Sequence, residues 1–252
     1  MHTGKELAIP LVSPMLDGAI DKESIRRLVS FCEPYVDIYV PCLSSGEGEK
    51  LSSSQWSEVV SAVRSETDKP VYCGILKEGK EEVQQYLVLA AKYGCEGVVI
   101  KVEMLHPNNG LDFSGLKLIL YNQEGSKATA AELLQLSRHP QVVAIKDSSE
   151  NVSLFNELSE SLAREGSAVK LYQGMETTIL QTPDADGMLI SLANVEPSFC
   201  RKLLSEQGGK AAQELDGYIE RYNLKDGQWY KSLKEALYSM KVINSPQLVG
   251  QE

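Results

Sequence analysis

The chain has 252 residues, 42% of them hydrophobic and 24% charged, which supplies one large core and excludes the disordered and fibrous classes. Its formal charge of −10 opposes nucleic acid and anionic membrane as partners, since both need a basic face. Cys32, Cys42, Cys73, Cys95 and Cys200 show neither CxxC nor zinc spacing and read as buried free thiols of a reducing compartment. The first six residues lack the apolar stretch of a signal peptide, and no run approaches the ~18 apolar residues of a membrane span. A cytoplasmic location is the default expectation.

The elements follow in a regular order. A first strand is predicted at 7–12, and Asp21 caps a helix carrying Ile25, Leu28, Val29 and Phe31. Further strands are predicted at 36–40, 71–74, 97–100, 116–120, 142–145, 169–172 and 187–190. Helices are predicted at 55–63, 81–93, 128–137, 151–164 and 196–205. The strand runs are continuously apolar, the mark of parallel strands buried on both faces. Eight such units close naturally into a (β/α)₈ TIM barrel of the α/β class. The competitor is an open doubly wound sheet, disfavoured because no GxGxxG turn follows strand one. The fourth unit is short: 101–115 includes Pro107, Asn108, Asn109, Gly110 and Gly115, room for a loop but not a full helix. Helical patterns at 210–224 and 228–240 then form an appendix. The expected division is therefore 1–208 as the barrel, with its fourth helix shortened, and 209–252 as a C-terminal helical segment packed on it.

Active sites of such barrels lie at the C-terminal ends of the strands, so the polar residues there are the candidates. Lys146 ends the run Val142-Val143-Ala144-Ile145. Burial disfavours an ammonium, and a neutral amine is what Schiff-base chemistry needs. The alternative is a lysine that reaches solvent or pairs with Asp147. Tyr121 ends the neighbouring strand, as a proton relay or as a core aromatic with one hydroxyl partner. Ser44-Ser45-Gly46-Glu47 reads as a carboxylate-holding turn or as an ordinary cap. Lys101 is an alternative amine, or an ion-pair partner of Glu103. Gln173-Gly174-Met175-Glu176 follows the seventh strand, and Ser191 and Asn194 the eighth. His106 reads as an exposed loop histidine.

Taken in order, several stretches resemble one family. They are Ser13-Pro14 with Asp17-Gly18-Ala19-Ile20-Asp21, Ser44-Ser45-Gly46-Glu47, Leu120-Tyr121-Asn122, Val143-Ala144-Ile145-Lys146-Asp147-Ser148-Ser149, and the strand from Gly187 through Asn194 to Val195. These are similar to the motifs of the dihydrodipicolinate synthase/N-acetylneuraminate lyase family, over nearly the whole chain. The resemblance implies a class I aldolase or lyase in which Lys146 forms an imine with pyruvate or a related 2-oxo acid. It implies no metal and no organic cofactor beyond that covalent imine, and a homo-oligomer, dimer or tetramer. By the same resemblance Tyr121 relays protons, and Ser44, Ser45 and Gly46 hold the carboxylate. Ser45 counts among the catalytic groups as part of a link from Tyr121 to solvent. Leu189, Gly174 and Glu176 complete the substrate-binding set.

Two departures stand out. Ser126 occupies the place of an arginine that grips the second substrate's carboxylate in the synthase of lysine biosynthesis. The segment 102–115 replaces a tyrosine motif and a helix of the subunit contact. An acceptor other than the lysine-pathway semialdehyde is therefore expected, and an altered oligomer. Glu103, Glu176, Gln173 and Asn194 would suit a neutral, hydroxylated or cationic partner. A dehydratase or hydratase using the same imine, and a catalytically silent ligand-binding barrel, are the alternatives.

Overall fold

The computed structural model describes residues 4–105, 110–123, 125–206 and 209–251. His106 and the rest of 106–109 lie outside the described residues. The chain runs β1 (Glu6–Leu11), β2 (Met15–Leu16), β3 (Ala19–Ile20), α1 (Lys22–Cys32), β4 (Ile38–Pro41), α2 (Ser53–Glu66), β5 (Tyr72–Ile75) and α3 (Lys80–Lys92). It continues through β6 (Gly97–Lys101), β7 (Lys117–Asn122), α4 (Ala130–Ser137), β8 (Val142–Asp147), α5 (Val152–Arg164), β9 (Lys170–Gln173) and β10 (Gly187–Leu189). The last elements are α6 (Pro197–Ser205), α7 (Lys210–Arg221) and α8 (Trp229–Ser239). The strand order β4-β1-β10-β9-β8-β7-β6-β5 is parallel throughout, and a parallel bridge between Tyr39 and Val71 brings the two edges together. The result is the (β/α)₈ barrel, not the open sheet.

The sequence explains the helix starts. The Asp21 carboxylate accepts the Ser24 N–H and opens α1. Ser52 with Gln55, and Thr129 with Glu132, form capping boxes at α2 and α4. Because successive strand residues point to opposite faces, each strand divides its apolar residues between two layers. Ala8, Val40, Val99, Ile119, Ala144 and Leu189 fill the lumen, while Leu7, Ile9, Val98, Leu118 and Ile145 pack under the helices. In the fourth unit a 3₁₀ turn spans Val102–Leu105, and among the described residues no α-helix lies between β6 and β7. The hairpin β2–β3 lies within a stretch the apolar pattern leaves unassigned. Its strands are two residues each, too short for a period to register.

Strands β7 and β8 extend past their apolar runs. Tyr121 and Lys146 are strand residues, not the first residues after a strand. Ladder hydrogen bonding continues through polar side chains as long as the backbone stays paired, which an apolar count cannot detect.

Candidate active site

Lys146 and Tyr121 face each other across adjacent strands, paired in register. Period-two alternation decides where Lys146 points: Ala144 faces the lumen, so Lys146 does as well, and it is 5% exposed. Its Nζ lies 4.1 Å from the centroid of the Tyr121 ring, over the ring face and not at the hydroxyl. Asp147, one residue on, faces the other way. Its carboxylate accepts from Asn122 Nδ2 at 2.6 Å and from Ser149 Oγ at 3.2 Å. Burial pushes the Asp147 carboxyl above its ordinary range, against the hydrogen bonds from Asn122 and Ser149. The pairing of Lys146 with Asp147 is thereby replaced by a lysine without a carboxylate in ion-pair contact among the described residues.

Gly174 makes the approach to the lysine possible. A Cβ at this position would lie 2.2 Å from Ser148 Oγ and 2.8 Å from Lys146 Cε. Strand β9 can therefore deliver its following loop against the lysine stem only with a residue that has no side chain. Ser148 Oγ is buried and has no hydrogen-bond partner, an orphan hydroxyl beside the amine.

These groups line a cavity of about 80 Å³ at the C-terminal mouth of the barrel. Ser44, Ser45, Tyr121, Lys146, Ser148 and Ser191 supply its polar wall, with Glu176 beside them. Leu43, Met175, Leu224 and Trp229 supply the apolar wall. Ser45 Oγ lies 2.7 Å from Ser191 Oγ, and Trp229 Nε1 donates to Ser191 Oγ at 3.1 Å. Trp229 and Leu224 come from the C-terminal segment and were not singled out by the sequence. The one available signal was a tryptophan, one of two in the chain, opening a predicted helix.

Several expected site residues serve other purposes. Gly46 does not line the cavity: its N–H donates to Leu43 O at 2.9 Å, and a Cβ there would lie 2.7 Å from Leu11 O. The Glu47 N–H is likewise spent on Ser44 O. The turn thus offers side-chain hydroxyls, and its amides at Gly46 and Glu47 are closed off. Leu189 is packed in the lumen and fully buried, below the cavity. No hydrogen bond joins Ser44 or Ser45 to Tyr121 among the described residues, so the expected relay through them is not formed here. Glu176 does line the cavity, but its Oε1 accepts the Leu192 N–H at 2.8 Å. Burial raises its carboxyl, opposed by the backbone N–H groups it accepts from. Gln173 bonds Thr182 Oγ1 and the Met175 N–H, and Asn194 bonds Val12 N, Pro10 O and Ser191 O. Both brace loops; neither faces the cavity. Lys101 is not on the cavity wall; its Nζ is 3.8 Å from Glu78. Ser126 accepts the Ala128 N–H and stands away from the cavity. Among the described residues no group of three or more His, Cys, Asp or Glu side chains is placed to hold a metal ion.

A parallel barrel with a lumen-facing lysine and tyrosine in register at its C-terminal mouth defines a class of lysine-bearing barrel lyases. The chain belongs to the dihydrodipicolinate synthetase family, whose sequence model matches residues 4–247; its members are lyases and aldolases. It is 26% identical to the 4-hydroxy-tetrahydrodipicolinate synthase of Citrifermentans bemidjiense, covering 94% of this chain and 81% of that one. Among solved structures it is similar to the dihydrodipicolinate synthase of Bacteroides thetaiotaomicron, with TM-score 0.86 and 21% identity over 100% of this chain and 94% of that one. A 2-keto 3-deoxygluconate aldolase from Picrophilus torridus superposes with TM-score 0.81 at 20% identity, over 95% of this chain and 94% of that one. These two structural likenesses concern the fold.

Proposed function

We propose that the protein is a lysine-dependent lyase that forms an imine between Lys146 and pyruvate or a related 2-oxo acid. The single observation that carries this reading is the buried Lys146 amine, held over the Tyr121 ring in a cavity walled by serine hydroxyls. The Nζ lone pair attacks the carbonyl carbon of the 2-oxo acid, giving a carbinolamine. Loss of water gives the imine, and loss of a proton from the adjacent carbon gives an enamine that attacks an aldehyde; cleavage runs the same steps in reverse. Tyr121, its hydroxyl without a partner among the described residues, moves the protons. Ser44 and Ser45 hold the carboxylate. Glu176 favours a second reading, dehydration through the same imine. Its buried carboxyl is biased towards the protonated form and lines the cavity, where it could give a proton to a departing hydroxyl.

The acceptor we assign is neutral or hydroxylated, outside lysine biosynthesis. The relatives lend that half no support, being named for the synthase itself. It rests on the cavity wall, where among the described residues Lys146 is the only cation and Glu176 an acid. On this reading residues 1–208 are the catalytic barrel and 209–252 the helical segment that roofs it. The imine serves in place of a cofactor, and the chain works in the cytoplasm as a homo-oligomer whose subunit contact is altered at 102–115. No helix among the described residues is long and apolar enough to cross a membrane. The test is borohydride reduction in the presence of pyruvate, followed by peptide mapping. An adduct on Lys146 is expected; an adduct on Lys101, or none with any 2-oxo acid, overturns the reading.

A further inference from the structure

The C-terminal segment reaches the candidate site through a donor that cannot accept. An indole nitrogen carries one N–H and no lone pair for hydrogen bonding. Trp229 Nε1 is 3.1 Å from Ser191 Oγ and 3.5 Å from Ser45 Oγ, while the two hydroxyl oxygens are 2.7 Å apart. With the indole giving its proton to Ser191, that hydroxyl is polarised to give its own to Ser45, and Ser45 to give its own onward. A donor-only group at the closed end of a hydroxyl chain thus turns the whole chain towards the cavity.

The indole is held in place by the turn it serves. Helix α8, which Trp229 opens, is fastened to the same turn by the ion pair of Lys234 with Glu47, both fully buried. Lys50 adds a second fastening, its Nζ 3.1 Å from Tyr230 Oη and 4.9 Å from that ring's centroid. Ser191 is fixed in turn by Glu176, whose carboxylate accepts the neighbouring Leu192 N–H. All three members of the chain are therefore anchored independently of any ligand.

We infer that Trp229 is a positioning residue for the substrate carboxylate: through Ser191 it aims the Ser45 hydroxyl hydrogen at the 2-oxo acid bound to Lys146. This rests on the imine reading above. Trp229 touches no reacting atom, so its loss weakens capture of the acid and leaves the chemistry at Lys146 intact.

The experiment is the rate of borohydride trapping as a function of pyruvate concentration, which needs no acceptor. Trp229→Phe keeps the ring and deletes the N–H. Its half-saturating pyruvate concentration should rise roughly three- to tenfold, the scale of one hydrogen bond, with the maximal trapping rate within about twofold of the parent. Ser191→Ala, which removes the middle of the chain, should give a similar rise. Adding Trp229→Phe to it should cost less than Trp229→Phe alone, because the indole acts mainly through that hydroxyl and otherwise keeps only its longer 3.5 Å contact to Ser45. If Trp229→Phe yields no folded protein, Ser191→Ala is read alone against the same expectation. A half-saturating concentration unchanged in these variants, effects that multiply in the double variant, or a loss confined to the maximal rate would each overturn the role of Trp229 while leaving the imine standing. Failure of the parent to trap pyruvate would overturn the imine reading and this inference with it.

Discussion

Glu47 and Lys234 form an ion pair in which both side chains are fully buried, with Nζ 2.6 Å from Oε1. Glu47 also accepts the Val249 N–H through Oε2, and Lys234 also donates to Gln247 O. The pair joins the turn that carries Ser44 and Ser45 to α8 and to the chain's last residues. Glu47 adopts a left-handed backbone, φ 53°, which turns its side chain back into the protein. Burial lowers the Lys234 ammonium from its ordinary value, opposed by the neighbouring Glu47. An ion pair of this kind contributes specificity of docking more than net stability, since desolvation offsets much of the attraction.

Breaking one side of the pair should therefore be far worse than removing both. Lys234→Met leaves the buried Glu47 carboxylate with only the half-exposed Lys50, its Nζ 3.3 Å from Oε2, and the Val249 N–H, and should cost up to about 3–5 kcal/mol in urea unfolding. Adding Glu47→Gln should recover much of that loss. A double variant no more stable than Lys234→Met would show that the pair's hydrogen bonds to the tail, and not its charges, hold the segment.

Tyr121→Phe removes one oxygen from a side chain whose ring remains packed beneath the Lys146 amine. Turnover should fall by roughly 10²–10⁴-fold, the scale of a positioned proton-transfer group, with the melting temperature nearly unchanged. Near-normal turnover in the Phe variant would return Tyr121 to a packing role.

How far the site was readable from the sequence depended on where its information lay. Lys146 and Tyr121 were readable as candidates because each follows an apolar parallel-strand run, but position alone left a solvent-reaching lysine and a core aromatic open; their roles came from the resemblance of the motifs around them. Glu176 was readable as a cavity residue, but its commitment to the Leu192 N–H was not, since that bond joins two loops sixteen residues apart. Gln173 and Asn194 were polar residues in the expected places that turned out to brace backbone. Trp229 was missed because nothing local marks it: its partners Ser45 and Ser191 lie 184 and 38 residues away. Gly46 and Leu189 show the converse, residues inside site-like stretches that packing turns away from the cavity.

Gly174→Ala tests the close approach of β9 to the lysine. The added Cβ would meet Lys146 Cε at 2.8 Å and the Asp147 carbonyl oxygen at 2.8 Å, the second a backbone atom with little freedom to move. The lysine stem must shift, so borohydride trapping at saturating pyruvate should slow at least about tenfold, in line with the sensitivity of such reactions to small misplacements. Wild-type trapping would mean that the loop after β9 yields instead.

Glu176→Gln tests the buried carboxyl through pH. Burial raises its folded pKa above the ordinary value of 4.5. The folded state then holds the proton more tightly than the unfolded chain. The group's contribution is complete below the unfolded value and is lost as pH rises through the folded one. The melting temperature of the variant relative to wild type should therefore climb as pH rises above the ordinary carboxyl value, and the Leu192 N–H keeps an amide oxygen as its acceptor. A relative melting temperature that falls over that range would mean the carboxylate is better solvated in the fold than its burial implies.

The second substrate is decided by the wall opposite the lysine. Ser126 cannot offer the charged, bidentate fork that a carboxylate prefers, and it stands away from the cavity with its hydroxyl on the Ala128 N–H. Among the described lining residues Lys146 is the sole cation, and the proposed imine engages it with the first substrate. The Glu176 side chain beside it would repel an incoming anion whenever it is ionised, while the Ser148 hydroxyl, buried and unpartnered, awaits a polar group. A charge-assisted hydrogen bond at such a site is worth about 1.5–3 kcal/mol, so an anionic aldehyde should lose at least about tenfold against a neutral hydroxylated one. Steady-state kinetics with pyruvate and, in turn, aspartate semialdehyde and polyhydroxylated aldehydes checks this directly. The specificity constant should be highest for a hydroxylated aldehyde. If the semialdehyde leads, the synthase reaction for which the relatives are named is also the reaction of this chain, and the carboxylate is held by groups other than the cavity wall described here.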